Sequence, residues 1–364
     1  MNPITVVMIV FSMLGAIDRI IGGRFGLAKE FERGVMMMGS LCLSMIGMIV
    51  ISPFIADVLE PVFVFVAYVL HIDPSIIPAS LFANDMGGAP LAKEIAVDEQ
   101  VGMFNALVVS SMMGCTVSFT IPVALGMVEK EQHRELLLGL LCGIVTIPLG
   151  CFVSGVVLQI PLGGLLINLL PLVLFSGLIA VGLMLCPDQC VKIFGVFGTF
   201  IKILITIGLA LGILKYLTGI ELIEGLESFE EGGMICLNAC AVMTGAFPLM
   251  YVLGKLLNKP MKMLGEKMGV NETSVMGLLS SLATSMTTFG MMKDMDKKGA
   301  LMNSAFAVSA AFTFAGHLAF TMAFDADYIF SVIIGKLVAG FLALFVALVV
   351  YNRMAAKTKI QTQA

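Results

Sequence analysis

The chain has 364 residues, of which 59% are hydrophobic and only 13% charged, with a net charge of −4 and a mean hydropathy of +1.03. Soluble domains carry about 25% charged residues, and a soluble fold of this length keeps a polar skin that these residues cannot supply. The composition therefore excludes a soluble enzyme or nucleic-acid binder and predicts an all-α polytopic membrane protein. The eight cysteines lie almost all in apolar runs, and neither Cys186/Cys190 nor Cys236/Cys240 has C-x-x-C spacing. They read as small buried hydrophobes, with no metal site among them.

About twenty apolar residues cross the hydrocarbon core. The first such run, MNPITVVMIVFSMLGAIDRII, lacks a basic leader and a small-residue cleavage site, so it reads as a span near 3–21. Further full spans are expected near 34–56, 100–128, 135–158, 165–186, 191–216, 232–254, 299–323 and 327–351. Two regions resist that reading. Residues 57–98 hold a short apolar piece, Val58 to Leu70, and then SLFANDMGGAPLAKE; residues 258–293 hold a Lys-rich piece and then SVMGLLSSLATSMTTFGMM. Each reads as a pair of short spans or a re-entrant hairpin, which gives about nine to eleven transmembrane helices. Lys202, in TFIKILI, is mid-membrane and needs a carboxylate partner if its helix starts at Cys190, and snorkels to the cytoplasmic interface if it starts at Thr199, the favoured reading.

Orientation follows from Lys and Arg in short loops. Arg19, Arg24, Lys29 and Arg33 follow the first span, Lys130 and Arg134 the third, and Lys192 precedes the sixth. Lys255 to Lys267, then Lys293, Lys297 and Lys298, flank the second difficult region, and Arg353 heads the tail. All fall on one side if both difficult regions return to the face they left. The N-terminus is then outside, the C-terminus cytoplasmic, and the acidic segment Glu221 to Glu231 outside.

The two halves resemble each other. FERGVMMMGSLCL, from Phe31, matches FEEGGMICLNACA, from Phe229, and Asn105 and Ser111 match Asn303 and Ser309 at the same offset of 198 residues. Five spans separate Gly34 from Gly232, so the copies would be inverted in the membrane. The expected division is a first repeat over 1–160, a connecting helix over 161–189, a second, inverted repeat over 190–354 and a cytoplasmic tail over 355–364. Inverted repeats with interrupted helices are the sequence sign of a secondary transporter, with the site at the two breaks.

The first break is FANDMGGAP. Gly87, Gly88 and Pro90 interrupt a helix, and irregular backbone at membrane depth survives only when buried in protein or lining a wet cavity. Asp85 there suits an organic ammonium, with Asn84, Met86 and the Gly87-Gly88 backbone beside it; a solvated outer loop is the other reading. The second break offers hydroxyls, among them Thr284, Ser285, Thr287 and Thr288, which also serve helix packing. Asn105, Asn303 and His317 are polar groups within long spans, for which pore lining competes with interhelical hydrogen bonding. Glu94, Ser111 and Ser309 are accessory positions. No nucleophile–base pair, phosphate loop, dinucleotide fingerprint or metal cluster is visible, so no enzyme activity and no cofactor are expected.

ANDMGGAPLAKE, FTIPVALGMVE, GIVTIPLG, FGMMKDMDKKG and NSAFAVSAAF, followed by GHLAF, are similar to stretches of the ethanolamine permease family of bacterial ethanolamine-utilisation operons. The resemblance runs from AIDRI near Asp18 to IIGKLVAG before Gly340. It implies an inner-membrane protein that admits ethanolamine for deamination inside the cell. Asp85 would then meet the ammonium, Asn84 and the Gly87-Gly88 backbone its remaining N–H groups, and Thr284 to Thr288 the opposite side of the solute. The expected partners are ethanolamine and the lipid bilayer, not nucleic acid, and the oligomeric state stays open.

Overall fold

The computed structural model describes residues 3–363; Met1, Asn2 and Ala364, which the repeat boundaries above include, lie outside the described residues. Among the described residues the elements are helical and no strand occurs. In chain order they are α1 (Pro3–Ile20), α2 (Leu27–Leu70), a hairpin of α3 (Ile76–Leu81) and α4 (Gly88–Ile95), α5 (Glu99–Met127), α6 (Lys130–Val157), α7 (Leu162–Leu185), α8 (Pro187–Thr218) and α9 (Phe229–Met268). A second hairpin of α10 (Glu272–Ala283) and α11 (Ser285–Gly290) follows, then α12 (Lys297–Ala310), α13 (Gly316–Phe324) and α14 (Ile329–Gln363). Eight of these, α1, α2, α5 to α9 and α14, are long and apolar enough to cross a membrane. The fold class expected from composition is the one observed.

Four expectations are corrected. The apolar piece Val58 to Leu70 belongs to α2, whose 44 residues run about 66 Å at about 1.5 Å each. The first hairpin is therefore shorter than 57–98 and begins only after His71, where the backbone turns left-handed at φ 56°. Likewise the Lys-rich piece from Lys255 continues α9 to Met268. The full span expected over 299–323 is instead two half-helices, α12 and α13, around an unwound stretch at 311–315 with Phe312 at φ 62°. That stretch takes its partners from the second hairpin: Phe312 N–H donates to the Ser281 carbonyl (3.0 Å) and Phe314 N–H to that of Leu282 (2.9 Å). Tertiary carbonyls here replace the helix ladder, which apolar composition alone could not reveal. Finally, α8 starts at Pro187 and not near Thr199, so Lys202 sits midway along it, exposed.

Each hairpin is closed at its base by a carboxylate. Asp73 accepts from the Ser75 N–H (3.0 Å) with one oxygen and from the N–H groups of Val97 (3.0 Å) and Asp98 (2.9 Å) with the other, tying entry to exit. Asp296 does the same for the second hairpin, accepting from the Asn271 N–H (2.8 Å) and the Ser274 hydroxyl (2.8 Å). The helix after each hairpin is N-capped by an aspartate: Asp98 accepts from Val101 N–H (2.8 Å) and Asp296 from Gly299 N–H (3.2 Å). Both hairpins therefore return to the end from which they entered.

The long helices α2 and α9 cross through small residues. A Cβ on Gly34 would lie 2.6 Å from the Thr244 nitrogen, and one on Gly232 would lie 3.3 Å from the Ile46 Cα. On their flanks, Gly47 meets the backbone of Ile205 in α8, and Gly245 that of Met8 in α1. Such close approach is how helices associate in lipid, where no hydrophobic force draws them together. The core runs through α5, α6 and α12, with α14 packed on the last two.

Candidate functional site

The two interrupted regions meet around a cavity of about 430 Å³, room for on the order of a dozen waters at about 30 Å³ each. Asp85 and Met86 from the first hairpin face Thr284, Met286 and Thr287 from the second. Phe312, Ala315, Gly316 and His317 from the unwound stretch and the start of α13 close another side, and Phe119 and Cys115 of α5 another. Among the described residues of the lining, Asp85 is the one carboxylate, and the one cation is Arg33, whose side chain is 48% exposed and lies 4.5 Å above the Phe247 ring.

The local sequence explains why Asp85 is there. After α3 the chain extends at Phe82 and Ala83, then makes a tight turn over Asn84–Met86. Met86 N–H (3.0 Å) and Gly88 N–H (2.7 Å) both donate to the Ala83 carbonyl, while Ala83 N–H is held by the Ser118 hydroxyl of α5 (3.0 Å). Gly87, at φ 99°, turns the chain into α4 in a conformation that other residues rarely adopt, and a Cβ there would run into Met48. Between these anchors Asp85 projects to the cavity wall, half-buried, while Asn84 is fully buried. Neither polar atom of the Asn84 side chain has a hydrogen-bond partner. A buried amide left this way calls for a water or a polar solute.

On the second hairpin, Thr284 is extended between α10 and α11 and its hydroxyl lines the cavity with Thr287. Ser285 is buried with its hydroxyl unpartnered, whereas Thr288 is engaged by Ser281 (2.9 Å) and the Gly277 carbonyl (2.9 Å). Of the residues singled out from sequence, Asp85, Met86, Thr284, Thr287 and His317 thus share one cavity, with Asn84, Gly87, Gly88 and Ser285 behind its wall.

The others lie elsewhere. Asn105 donates to the Ser75 hydroxyl (2.8 Å) and exchanges amide bonds with Asn168 of α7. Asn303 donates to the carbonyls of Ser274 (2.8 Å) and Gly299 (2.9 Å). Each asparagine thus ties the helix after a hairpin to that hairpin's first turn. Glu94 is exposed on α4. Ser111 and Ser309 are buried, the first donating to the Val108 carbonyl (2.9 Å), the second without a hydroxyl partner.

Two features escaped sequence reasoning. The cavity has an aromatic wall, Phe119 edge-on to Phe312 with centroids 5.6 Å apart, and Phe312 is 5.1 Å from the His317 ring. Lys336, the eighth residue of α14, is 1% exposed, and its ammonium donates to the Ser111 carbonyl (2.8 Å) and to His317 Nδ1 (3.0 Å). The signal for Lys336 was in plain sight, since an ionisable residue inside a span is functional by default, yet IIGKLVAG drew notice only as a family motif.

The family model described as "Ethanolamine utilisation protein, EutH" matches residues 1–350. The chain is 44% identical over 356 residues to the "Probable ethanolamine permease EutH" of Listeria monocytogenes serotype 1/2a (strain 10403S), covering 98% of this chain and 95% of that one. It is 37% identical to the proteins of the same description from Salmonella typhimurium and Escherichia coli K12, covering 98% of this chain and 97% and 98% of theirs. No solved structure matches it. With the match running nearly end to end, and with the helical membrane fold to accompany it, this chain belongs to the EutH family of ethanolamine utilisation proteins.

Proposed function

We propose that the protein imports ethanolamine, as the protonated amino alcohol, across the bacterial inner membrane for ethanolamine catabolism. The observation that carries this reading is Asp85, a lone carboxylate on an interrupted hairpin facing a polar wall across a shared cavity. A cation taken out of water needs a counter-charge and acceptors. Asp85 supplies the charge, Asn84 and the Thr284 and Thr287 hydroxyls the acceptors, and Phe119 and Phe312 add aromatic faces, each such contact being worth about 0.5–2 kcal/mol. The names of the relatives, probable ethanolamine permeases, select the solute. Facilitated diffusion and ion-coupled alternating access both fit this cavity.

The transporter architecture belongs to the same proposal: repeats over 1–160 and 190–354, inverted about a connecting helix at 161–189. It is supported by contacts that recur at an offset of 198. Gly34 packs on Thr244 and Gly232 on Ile46, and 34 + 198 = 232 while 46 + 198 = 244, so the crossing of α2 and α9 is reciprocal. Asp98 and Asp296, the two caps, and Asn105 and Asn303, the two hairpin ties, differ by the same number. The Lys and Arg distribution supports, within this proposal, an N-terminus outside and a C-terminus in the cytoplasm.

Uptake of labelled ethanolamine into proteoliposomes tests the reading. Wild type should show saturable uptake, and Asp85→Asn, nearly isosteric but uncharged, should lose at least tenfold in kcat/KM. Unchanged uptake in the mutant removes Asp85 from the mechanism, and wild-type vesicles no better than empty ones remove the function. Competition by other small amines shows how strictly the aromatic wall selects.

A further inference from the structure

Lys336 poses a problem that a cation permease has to solve. Directly behind the wall of a site that would hold a substrate ammonium lies a resident one. The Lys336 side chain is buried in α14 with its Nζ between the Ser111 carbonyl and His317 Nδ1, and His317 is itself part of the cavity wall. The ionisable groups in electrostatic reach of Lys336 are Asp85 on the first hairpin, His317 on α13, Cys115 on α5 and Cys151 on α6. Asp85 is the one carboxylate among them. Arg33, the cation of the cavity lining, is half-exposed and paired with Glu30 (3.5 Å), so the buried charges without solute are one carboxylate against one lysine, with the imidazole accepting at Nδ1 and so neutral and protonated at Nε2.

Resting on the ethanolamine reading above, we propose that Lys336 is the resident counter-cation of Asp85, and that binding of a substrate ammonium to Asp85 expels one proton from the Lys336–His317 pair. Two ammonium groups beside one carboxylate repel each other in a poorly solvated site. A lysine can relieve this by losing its proton, which an arginine cannot do. The 3.0 Å contact supplies the path. A proton passes from Nζ to Nδ1 while the Nε2 proton leaves to cavity water, so that lysine ends neutral and histidine ends as its other neutral tautomer. One ammonium enters the site, one proton departs, and the net charge is unchanged. The consequence is an obligatory exchange in which the site carries the substrate or the extra proton and never both.

The full chain in detergent, titrated with ethanolamine calorimetrically in buffers of different ionisation heat, reads the protons released per ligand bound. Wild type should release about one, and its apparent affinity should rise up to about tenfold per pH unit while the empty site stays protonated. Lys336→Met should bind with no release and no pH dependence. Lys336→Arg, which keeps the charge and the donors, should bind at least tenfold more weakly and release none. Wild-type binding without proton release overturns the proposal. So does release that persists in Lys336→Met, because the proton then comes off the amine or Asp85 and not off the Lys336–His317 pair. If Lys336→Met does not fold, the wild-type and Lys336→Arg titrations decide alone. Absence of both binding and uptake in wild type sinks the ethanolamine reading itself, and is distinct from binding that releases nothing.

Discussion

Gly87 and Asp85 show how one residue's backbone sets another's chemistry. Gly87 holds φ 99° with Met48 against its α-carbon, so Gly87→Ala meets both a forbidden conformation and a collision. The conformational part alone is about 1–2 kcal/mol. We expect a lowered thermal midpoint in detergent, and reduced ethanolamine uptake even below that midpoint, because the turn that aims Asp85 is the one disturbed. A residue of the opposite kind is Glu221, on the loop between α8 and α9. The Lys215 ammonium bonded to it at 2.8 Å holds its carboxyl below the usual carboxylate range. A depressed carboxylate contributes stability above its unfolded pKa and loses it as the pH falls through the folded one. Thermal stability should therefore suffer least from Lys215→Met at low pH, once Glu221 is protonated and only the Lys215 bond to the Leu226 carbonyl (2.9 Å) is lost. It should show a small deficit at neutral pH, small because the pair is partly solvated. A deficit that grows on acidification would contradict the assignment.

At the scale of elements, the two hairpins stand or fall by their basal carboxylates. Removing Asp73 leaves the N–H groups of Val97 and Asp98 without their acceptor, and removing Asp296 does so for Asn271. An unsatisfied group costs about 1–3 kcal/mol when water cannot replace the partner, and less at an exposed base such as these. Asp73→Ala should accelerate amide exchange over 76–95 and leave 272–290 as it was, and Asp296→Ala should do the reverse. Equal protection of both hairpins in both variants would show that the closures do not hold them. The interruption between α12 and α13 is of another kind. It persists because Ser281 and Leu282 carbonyls, at the frayed end of α10, receive the amides that the unwound stretch cannot place in a helix.

For the whole molecule, the crossing of α2 and α9 decides how the halves are joined. A Cβ on Gly34 falls 2.6–2.7 Å from backbone atoms of Thr244, which cannot yield without moving a helix, while one on Gly232 has 3.3 Å. Gly34→Ala should consequently destabilise by about 1–3 kcal/mol and Gly232→Ala by less, as read from thermal midpoints of the purified chain. If the two substitutions act alike, the crossing is looser than its geometry states.

What the sequence determined follows from the solvent. A bilayer demands long apolar helices and leaves charge only at loops or sites, so spans, class and the anomaly at Asp85 could be read one residue after another. The helix break at Gly87, Gly88 and Pro90 was equally local. The tertiary structure alone decided what depends on neighbours far along the chain. It broke the apolar run over 299–323 because partners for its amides lay on α10. It turned Asn105 and Asn303 into ties between helices, and it placed Asp85, Phe312 and His317 around one cavity with Lys336 bonded behind His317. Lys336 and the Ser111 carbonyl it binds are 225 residues apart. No periodicity encodes such a meeting, because burial in a membrane protein is set by which helix faces pack together, and apolar residues face lipid and protein alike.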